Sequence, residues 1–323
     1  MNTTTTADAA EIAQVLALPT YNWQVADIGD EAPLFSYVVT LDSIAQYCDA
    51  VRNWNPLYLD AAAAKAGPFG RIVAPPSFAF KAAPLRRNEV MHAKGYAAPE
   101  EKGEYQTPYA KCELRFYQPV FPGDTVTSRV FLEDKIERRG KRFAQWRVEG
   151  KNAAHEALFD YAYTTIWPDG PGVNSNTRTT IAPEPLPPVD AADALPPVVK
   201  HETQAAIDLY AELTRVRPRI GASLHLHADF ASRSLFGGTA NSGPASMAFC
   251  TEVLEKGYGP AALLRPGARV EYKGIRPVRA GDEITLRGRV ASRTAASHAV
   301  EITVHGQDGG LRGVGSGTVM IGG

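Results

Sequence analysis

The sequence predicts an α+β protein made of two tandem copies of one small domain, each an antiparallel sheet wrapped around a central helix. The first observation is a repeated motif, Pro-Val-x-x-Gly-Asp, at residues 119–124 and again at residues 277–282. Two landmarks precede it in the same order, an Ile-x-x-Tyr segment and a Phe-Gly pair, at 44–47 and 69–70 in the first copy and at 207–210 and 236–237 in the second. Three landmarks in one order indicate a diverged internal repeat.

Each copy is predicted to begin with a short helix that a threonine caps. Residues 41–51 follow Thr40, and residues 204–213 follow Thr203. A threonine hydroxyl at this position accepts a hydrogen bond from a backbone N–H of the first helical turn. The matching caps indicate that both copies start in the same way.

A second helix is predicted after an irregular polar stretch, from Pro76 to about Leu85 in the first copy and from Pro244 to Lys256 in the second. The second of these carries a broad apolar stripe that suits burial, and Cys250 in that stripe is interpreted as packing. Runs that alternate or are rich in β-branched residues then predict strands, at 125–132, 143–150 and 157–166, and at 284–290, 299–305 and 313–321. A buried helix followed by antiparallel strands, twice over, is an α+β arrangement.

The Gly-Asp pair at the end of each repeated motif is interpreted as a structural turn. Gly123 and Gly281 suit a backbone conformation that other residues rarely adopt. Asp124 and Asp282 are expected to accept hydrogen bonds from nearby backbone N–H groups before the next strand begins.

The domain boundaries follow from proline content. Between residues 167 and 199 the chain holds eight prolines, a density that neither a helix nor a central strand tolerates. We therefore predict an N-terminal domain over residues 1–166, an extended linker over 167–199 and a C-terminal domain over 200–323. The total of 323 residues suits two domains of ordinary size.

Composition excludes several classes of protein. A net charge of −1 does not favour nucleic-acid binding, and no apolar run has the length that a membrane span needs. The first ten residues lack the basic and apolar regions of a signal peptide, and the three cysteines are widely spaced. These features favour a cytoplasmic protein without a disulfide framework or a zinc site.

The order of helix, Phe-Gly loop, long helix, Pro-x-x-x-Gly-Asp and strands resembles the hotdog fold. More narrowly, the chain resembles the MaoC-like hydratases and dehydratases of acyl thioesters, and residues 55–60 and 74–78 resemble the N-terminal half of two-domain members. The resemblance extends from about residue 35 to the C-terminus, excluding the linker. It implies two tandem hotdog domains that add water to a 2-enoyl thioester or remove it from a 3-hydroxyacyl thioester.

The resemblance also implies where the catalytic groups should lie. The family places an Asp and a His on one loop, in a Gly-Asp-x-Asn-Pro-x-His pattern, and uses a backbone N–H at the start of the central helix as oxyanion donor. In the first copy these two positions hold Asn53 and Tyr58. Neither side chain titrates near neutral pH, so the first copy is predicted to be catalytically degenerate.

In the second copy the same register assigns His225 to the catalytic histidine and Ile220 to the position of the missing Asp. Gly243 is retained at the helix start as the candidate oxyanion donor. Asp229 is a candidate helper, although a solvated surface carboxylate is an equally open interpretation. His227 lies two residues after His225, but two histidines without a third ligand do not favour a metal site.

Substrate-binding candidates surround these positions. Arg215, Arg217 and Arg219 are suited to bidentate contacts with phosphate or carboxylate, on the carrier or on the acyl end of the substrate. A solvated loop with surface ion pairs remains the alternative interpretation. Gly238 and Ser242 of the Phe-Gly loop complete the candidate set. The neighbouring pair Arg86 and Arg87 is interpreted as a solvated charge cluster, as is the basic cluster at 138–142.

The predicted function is a hydratase or dehydratase that acts on a CoA thioester, with no cofactor beyond the CoA of its substrate. A homodimer of double-hotdog chains is expected, without nucleic-acid or membrane partners. Two alternatives stay open. One is a hotdog thioesterase, and the other is a non-catalytic acyl-CoA-binding subunit that supports a catalytic partner.

Overall fold

The computed structural model of the chain describes residues 9–167, 191–234 and 236–322. Within these residues the strands form one ten-stranded antiparallel sheet in the order β1-β3-β4-β5-β2-β7-β10-β9-β8-β6. The strands are β1 Phe35–Val38, β2 Tyr109–Phe116, β3 Thr125–Arg138, β4 Lys141–Lys151, β5 Ala157–Trp167, β6 Val198–His201, β7 Arg269–Gly274, β8 Glu283–Arg293, β9 Ser297–Gly306 and β10 Leu311–Met320. All six strands predicted from the alternating runs are confirmed.

The sheet shows the internal repeat directly. Its first half runs β1-β3-β4-β5-β2, and its second half, read inward from the other edge, runs β6-β8-β9-β10-β7. The two halves join where β2 pairs with β7, with Leu114 opposite Val270. This is the double hotdog architecture, and a single apolar core extends through both copies.

Helices cover the sheet. They are α1 Ala9–Ala17, α2 Leu41–Val51, α3 Pro56–Leu59, α4 Ala61–Ala66, α5 Ala79–Ala82, α6 Arg87–Ala93, α7 Gln204–Leu213, α8 Ala228–Ser232 and α9 Gly243–Tyr258, with short 3-10 turns at Pro76–Phe78, Pro99–Lys102 and Pro260–Ala262. Both predicted threonine caps are confirmed, since Thr40 Oγ1 accepts from Ser43 N and Thr203 Oγ1 accepts from Ala206 N. No helix within the described ranges is long and apolar enough to cross a membrane.

The two central helices differ in length. In the second copy α9 runs for 16 residues and is buried along most of its length, with Cys250 fully buried. In the first copy α5 ends at Ala82, and α6 begins only at Arg87. Pro84 explains the break because it lacks a backbone N–H and disfavours helical geometry at the residue before it. The predicted continuation of this helix to about Leu85 is therefore wrong.

The repeated turns have the predicted form. Gly123 and Gly281 have φ values of 95° and 90°. Asp124 Oδ2 accepts from Phe121 N at 2.8 Å, and Asp282 Oδ2 accepts from Arg279 N at 2.9 Å. Most of the predicted proline-rich linker, residues 168–190, lies outside the described residues. Its described end is partly ordered sheet, because β6 already begins at Val198.

Candidate active site

The candidate histidine loop of the second copy opens onto a cavity between the two copies. The cavity has a volume of about 270 Å³. Residues 84–106 of the first copy line one side, and residues 211–242 of the second copy line the other. The break between α5 and α6 contributes Pro84 and Leu85 to the lining, so the cavity occupies the place that a longer helix would fill.

His225 lines this cavity and is half-buried. Its Nδ1 lies 2.7 Å from the carbonyl oxygen of Ala240, a contact that requires Nδ1 to carry the proton. Nε2 is then the unprotonated nitrogen. Burial lowers the pKa of His225, although the carbonyl of Ala240 opposes this, and the positive charges of Arg219 and Arg87 lower it further. His225 is therefore neutral at pH 7, with a basic nitrogen available.

Gly243 begins α9 beside this loop. A Cβ at this position would come within 2.3–2.6 Å of the Tyr109 ring, so no larger residue fits without displacing that ring. The Tyr109 hydroxyl donates to the carbonyl of Tyr272 at 2.6 Å, and this bond holds the ring in place. Among the described residues none accepts a hydrogen bond from the Gly243 N–H. This N–H, at the positive end of the helix dipole, is suited to bind a developing oxyanion.

The three predicted arginines line the same cavity as His225. Arg215 pairs with Glu212, and the guanidinium of Arg219 lies 3.5 Å from the same carboxylate. Arg217 is 60% exposed in its side chain and lies 3.5 Å from Glu89. All three arginines therefore form ion pairs, and all three also line the cavity. The ion pairs agree with the interpretation as a charged loop, and the position at the cavity agrees with the interpretation as substrate-binding residues.

The interpretation of Arg86 and Arg87 as a solvated cluster is wrong. Their exposed fractions are 4% and 8%, and both line the cavity. Arg86 donates to Glu89, and Arg87 donates to Glu100 at 3.0 Å. The local sequence gave no signal for this burial, because Arg87 is bound by Glu100 and Thr107, which lie 13 and 20 residues further along the chain.

The first copy also holds the histidine loop in position. Glu100 accepts through its backbone carbonyl from Ala222 N at 3.1 Å, and Gln106 accepts through its side chain from Leu224 N at 3.0 Å. A Cβ on Gly221 would lie 2.4 Å from that Glu100 carbonyl, and Gly221 also has a φ of 72°. A glycine is therefore required at this close contact. Sequence reasoning did not identify Glu100 or Gln106, because both lie more than 100 residues before the loop.

Asp229 and His227 lie outside the cavity of His225. Both are exposed and line a second, wider groove of about 750 Å³, which shares only Glu101 and Ala222 with the cavity of His225. His227 Nδ1 accepts from Ser223 N at 3.0 Å and so stabilises the loop. The structure does not bring Asp229 together with His225.

The two remaining candidates differ in position. Ser242 caps α9 and lines the cavity of His225. Gly238 lines neither cavity, and its missing side chain makes room for Arg279, whose Nη1 would lie 2.4 Å from a Cβ there. Within the described part of the chain, no three His, Cys, Asp or Glu side chains are grouped as metal ligands.

The corresponding loop of the first copy lies against α9. Asn53 donates to Glu255 Oε2 of α9 at 2.8 Å, and both residues are buried. Burial raises the pKa of Glu255 to about 7. Tyr58 is 1% exposed beside this carboxyl group, and burial together with the charge of Glu255 holds the pKa of Tyr58 well above its usual range. Residues of α9 thus occupy the space next to this loop.

One family model matches the first copy, and two curated proteins match part of the chain. Residues 26–159 match the family model described as FAS1-like, dehydratase domain region. A UPF0336 protein of Saccharopolyspora erythraea is 26% identical over 122 residues, which cover 36% of this chain and 72% of the relative. A UPF0336 protein of Thermobifida fusca is 30% identical over 99 residues, which cover 30% of this chain and 62%, less than two thirds, of the relative.

Comparisons with solved structures match both copies. A MaoC-like dehydratase gives a TM-score of 0.73 at 16% identity, with 91% of this chain and 98% of the other covered. A putative MaoC domain protein dehydratase from Chloroflexus aurantiacus gives 0.66 at 13%, covering 94% and 98%. A conserved hypothetical protein of Mycobacterium tuberculosis, described as a double hotdog fold, gives 0.60 at 14%, covering 93% and 98%. At these identities the likeness shows the fold.

Proposed function

The chain has the double hotdog fold of the MaoC-like dehydratases and a first copy that matches the FAS1-like dehydratase region, and from this premise we propose that it is an enoyl-CoA hydratase or 3-hydroxyacyl-CoA dehydratase. The observation that carries the proposal is the neutral His225, which lines the same cavity as Ser242, the residue that precedes Gly243 at the start of α9. A base close to an oxyanion donor is what the addition of water to an enoyl thioester requires.

In the hydration direction, Nε2 of His225 takes a proton from a water molecule while the water oxygen bonds to the β-carbon of the enoyl group. The electron pair of the double bond moves onto the thioester oxygen, where the N–H of Gly243 stabilises the enolate. The protonated His225 then returns the proton to the α-carbon, and the 3-hydroxyacyl thioester is formed. The reverse sequence removes water.

This scheme uses one residue as both acid and base, since Ile220 stands where a carboxylate is expected. It is consistent with the surroundings of the histidine. The carbonyl of Ala240 fixes the ring orientation, a task that a second side chain often performs elsewhere. The lowered pKa of His225 keeps the starting state unprotonated over the neutral range.

The CoA carrier would approach from the open side of the cavity. Arg217, whose side chain is 60% exposed, is suited to contact a phosphate group there, and Arg215 lies beside it. Ser242 is placed to contact the thioester end. We further propose that the protein works as a homodimer of these chains.

The experiment is a mass-spectrometric assay of 2-enoyl-CoA and 3-hydroxyacyl-CoA thioesters, which follows the gain or loss of water. His225→Gln keeps a donor for the Ala240 carbonyl but removes the base, so we expect turnover to fall about 10²- to 10⁴-fold. His298→Gln is the matched control, because His298 contacts Tyr258 and lines neither cavity.

Other outcomes decide against the proposal. Release of free CoA without a change in the acyl group would indicate a thioesterase. Binding of the thioesters without any conversion would indicate a non-catalytic subunit. Equal activity of the His225→Gln and wild-type proteins would remove His225 from the mechanism.

A further inference from the structure

The charges around His225 are unusual for a site that handles a thioester. The ionised groups that act on the ring are the guanidinium groups of Arg219 and Arg87, and both oppose its protonation. Both arginines line the same cavity as the histidine. The position of the expected carboxylate is Ile220, so the loop presents an arginine and an apolar residue where an acidic group would be expected.

Three carboxylates of the cavity are bound to other groups. Glu101 accepts from His92, from Asn88 and from the backbone of Ala98, so its oxygens are held by the first copy. Glu89 pairs with Arg86 and Arg217. Glu100 pairs with Arg87 at 3.0 Å. Arg217 and Arg219 have the longest ion pairs among the cavity arginines, at 3.5 Å each, and the side chain of Arg219 is the less exposed of the two.

The hydrogen bonding of Arg219 is incomplete. Its nearest carboxylate oxygen, on Glu212, is 3.5 Å away, and Arg215 also binds Glu212. Its Nε is buried and has no hydrogen-bond partner. Burial lowers the pKa of Arg219, although the charge of Glu212 opposes this. A partly buried cation with incomplete hydrogen bonding gains free energy when an anion binds to it.

We propose that the acyl group of the substrate carries a carboxylate, and that Arg219, supported by Arg87, binds it beside His225. This inference rests on the proposed hydratase function and specifies its substrate class. The volume of about 270 Å³ lies below the usual range for ligand pockets, so the acyl group is short. We assign the acyl carboxylate to Arg219 and not to Arg217, because the charge of Arg219 acts on the His225 ring and Arg217 lies at the exposed side of the cavity.

The test uses two enoyl-CoA thioesters that differ in one group: crotonyl-CoA, and its analogue with a carboxylate in place of the terminal methyl group. We expect the wild-type protein to hydrate the carboxylate analogue with at least a tenfold higher kcat/KM. Arg219→Gln should reduce that preference about 10- to 100-fold, because it removes a charge-assisted contact made with one of the two substrates. Arg219→Lys should retain part of the preference.

Arg289→Gln is the matched control, because Arg289 forms an ion pair with Glu301 on the sheet surface and lines neither cavity. Its preference should equal that of the wild-type protein. The inference is overturned if the wild-type protein hydrates crotonyl-CoA at least as well as the analogue, or if Arg219→Gln slows both substrates equally. In either case hydration that depends on His225 leaves the proposed function standing. If neither thioester is hydrated, both proposals fail.

Discussion

The loop before the central helix meets opposite surroundings in the two copies. In the first copy it faces α9 of the second, whose Glu255 accepts a hydrogen bond from Asn53. In the second copy it faces the first copy at the point where α5 has ended, and His225 lines a cavity there. The second-copy loop is bound by the Glu100 carbonyl and the Gln106 side chain of the first copy, whereas the first-copy loop is bound by the central helix of the second. The two loops therefore meet different elements of the opposite copy.

A second difference lies at the start of each central helix. Before the shared proline, the second copy has Gly243 and the first copy has Pro75. Proline has no backbone N–H, so the first copy lacks the donor that a thioester enolate needs at this position. The first copy thus has Tyr58 and Pro75 at the positions of His225 and Gly243, and its Glu100 and Gln106 bind the loop of the second copy.

The largest expected effect comes from Gly243→Ala. The added Cβ would overlap the ring of Tyr109, so the N-terminus of α9 must shift and the N–H loses its alignment. We expect turnover to fall about 10²- to 10³-fold, as for the loss of one oxyanion donor. Pro75→Ala is the corresponding change in the first copy and should leave turnover unchanged, as steady-state kinetics would show.

Similar losses of turnover in Gly243→Ala and Pro75→Ala would contradict this difference between the copies. They would mean that both helix starts contribute to one site. Unchanged turnover in Gly243→Ala, with α9 still folded by circular dichroism, would exclude its N–H as the oxyanion donor.

Local signals predicted the regular elements well. The caps at Thr40 and Thr203 and the repeated Gly-Asp turns depend on neighbouring residues alone, and they are confirmed. The strand patterns are equally local because alternation reflects one buried face. Even the error at Leu85 was a misjudged local signal, since Pro84 already indicated the helix end.

The site depends on contacts that sequence patterns do not record. Arg87 and Glu100 reach the cavity from the first copy, more than 100 residues before His225. Asp229 lies close to His225 in sequence yet lines the other groove. The register of the repeat assigned His225 to the loop and Gly243 to the helix start, but it did not indicate the contacts that the first copy makes with this loop through Glu100 and Gln106.

A smaller effect is expected from Glu255→Gln, which tests the contact between α9 and the loop of the first copy. Burial, together with the charge of Glu252, raises the pKa of Glu255 to about 7, while the hydrogen bond from Asn53 and the charge of Lys200 oppose the rise. Because the folded pKa exceeds the unfolded value of 4.5, this group stabilises the protein below about pH 4.5, and the contribution is lost as the pH rises through 7. At pH 8 the wild-type protein loses about 3 kcal/mol relative to an uncharged group.

The Gln side chain cannot ionise and still accepts from Asn53. Urea unfolding should therefore show the smallest difference in stability at about pH 4, and at pH 8 a variant more stable than the wild-type protein by about 2–3 kcal/mol. Glu301→Gln, at an exposed carboxylate with a 57% exposed side chain, should show no such difference. Parallel pH profiles for Glu255→Gln and the wild-type protein would contradict the raised pKa.

The smallest effect is expected at Tyr58, which occupies in the first copy the position that His225 occupies in the second. Its hydroxyl is buried without a hydrogen-bond partner, whereas the hydroxyl of Tyr47 in the same copy donates to the carbonyl of Ser77 at 2.7 Å. Both rings are fully packed, so Phe preserves the shape at either position. Tyr58→Phe should raise the free energy of unfolding by about 1 kcal/mol, and Tyr47→Phe should lower it by about 1 kcal/mol. Chemical denaturation measures both changes in the free energy of unfolding. Changes of opposite sign would show that the Tyr58 hydroxyl does not stabilise the protein. A loss of stability in both variants would mean that the Tyr58 hydroxyl is bound in the folded protein.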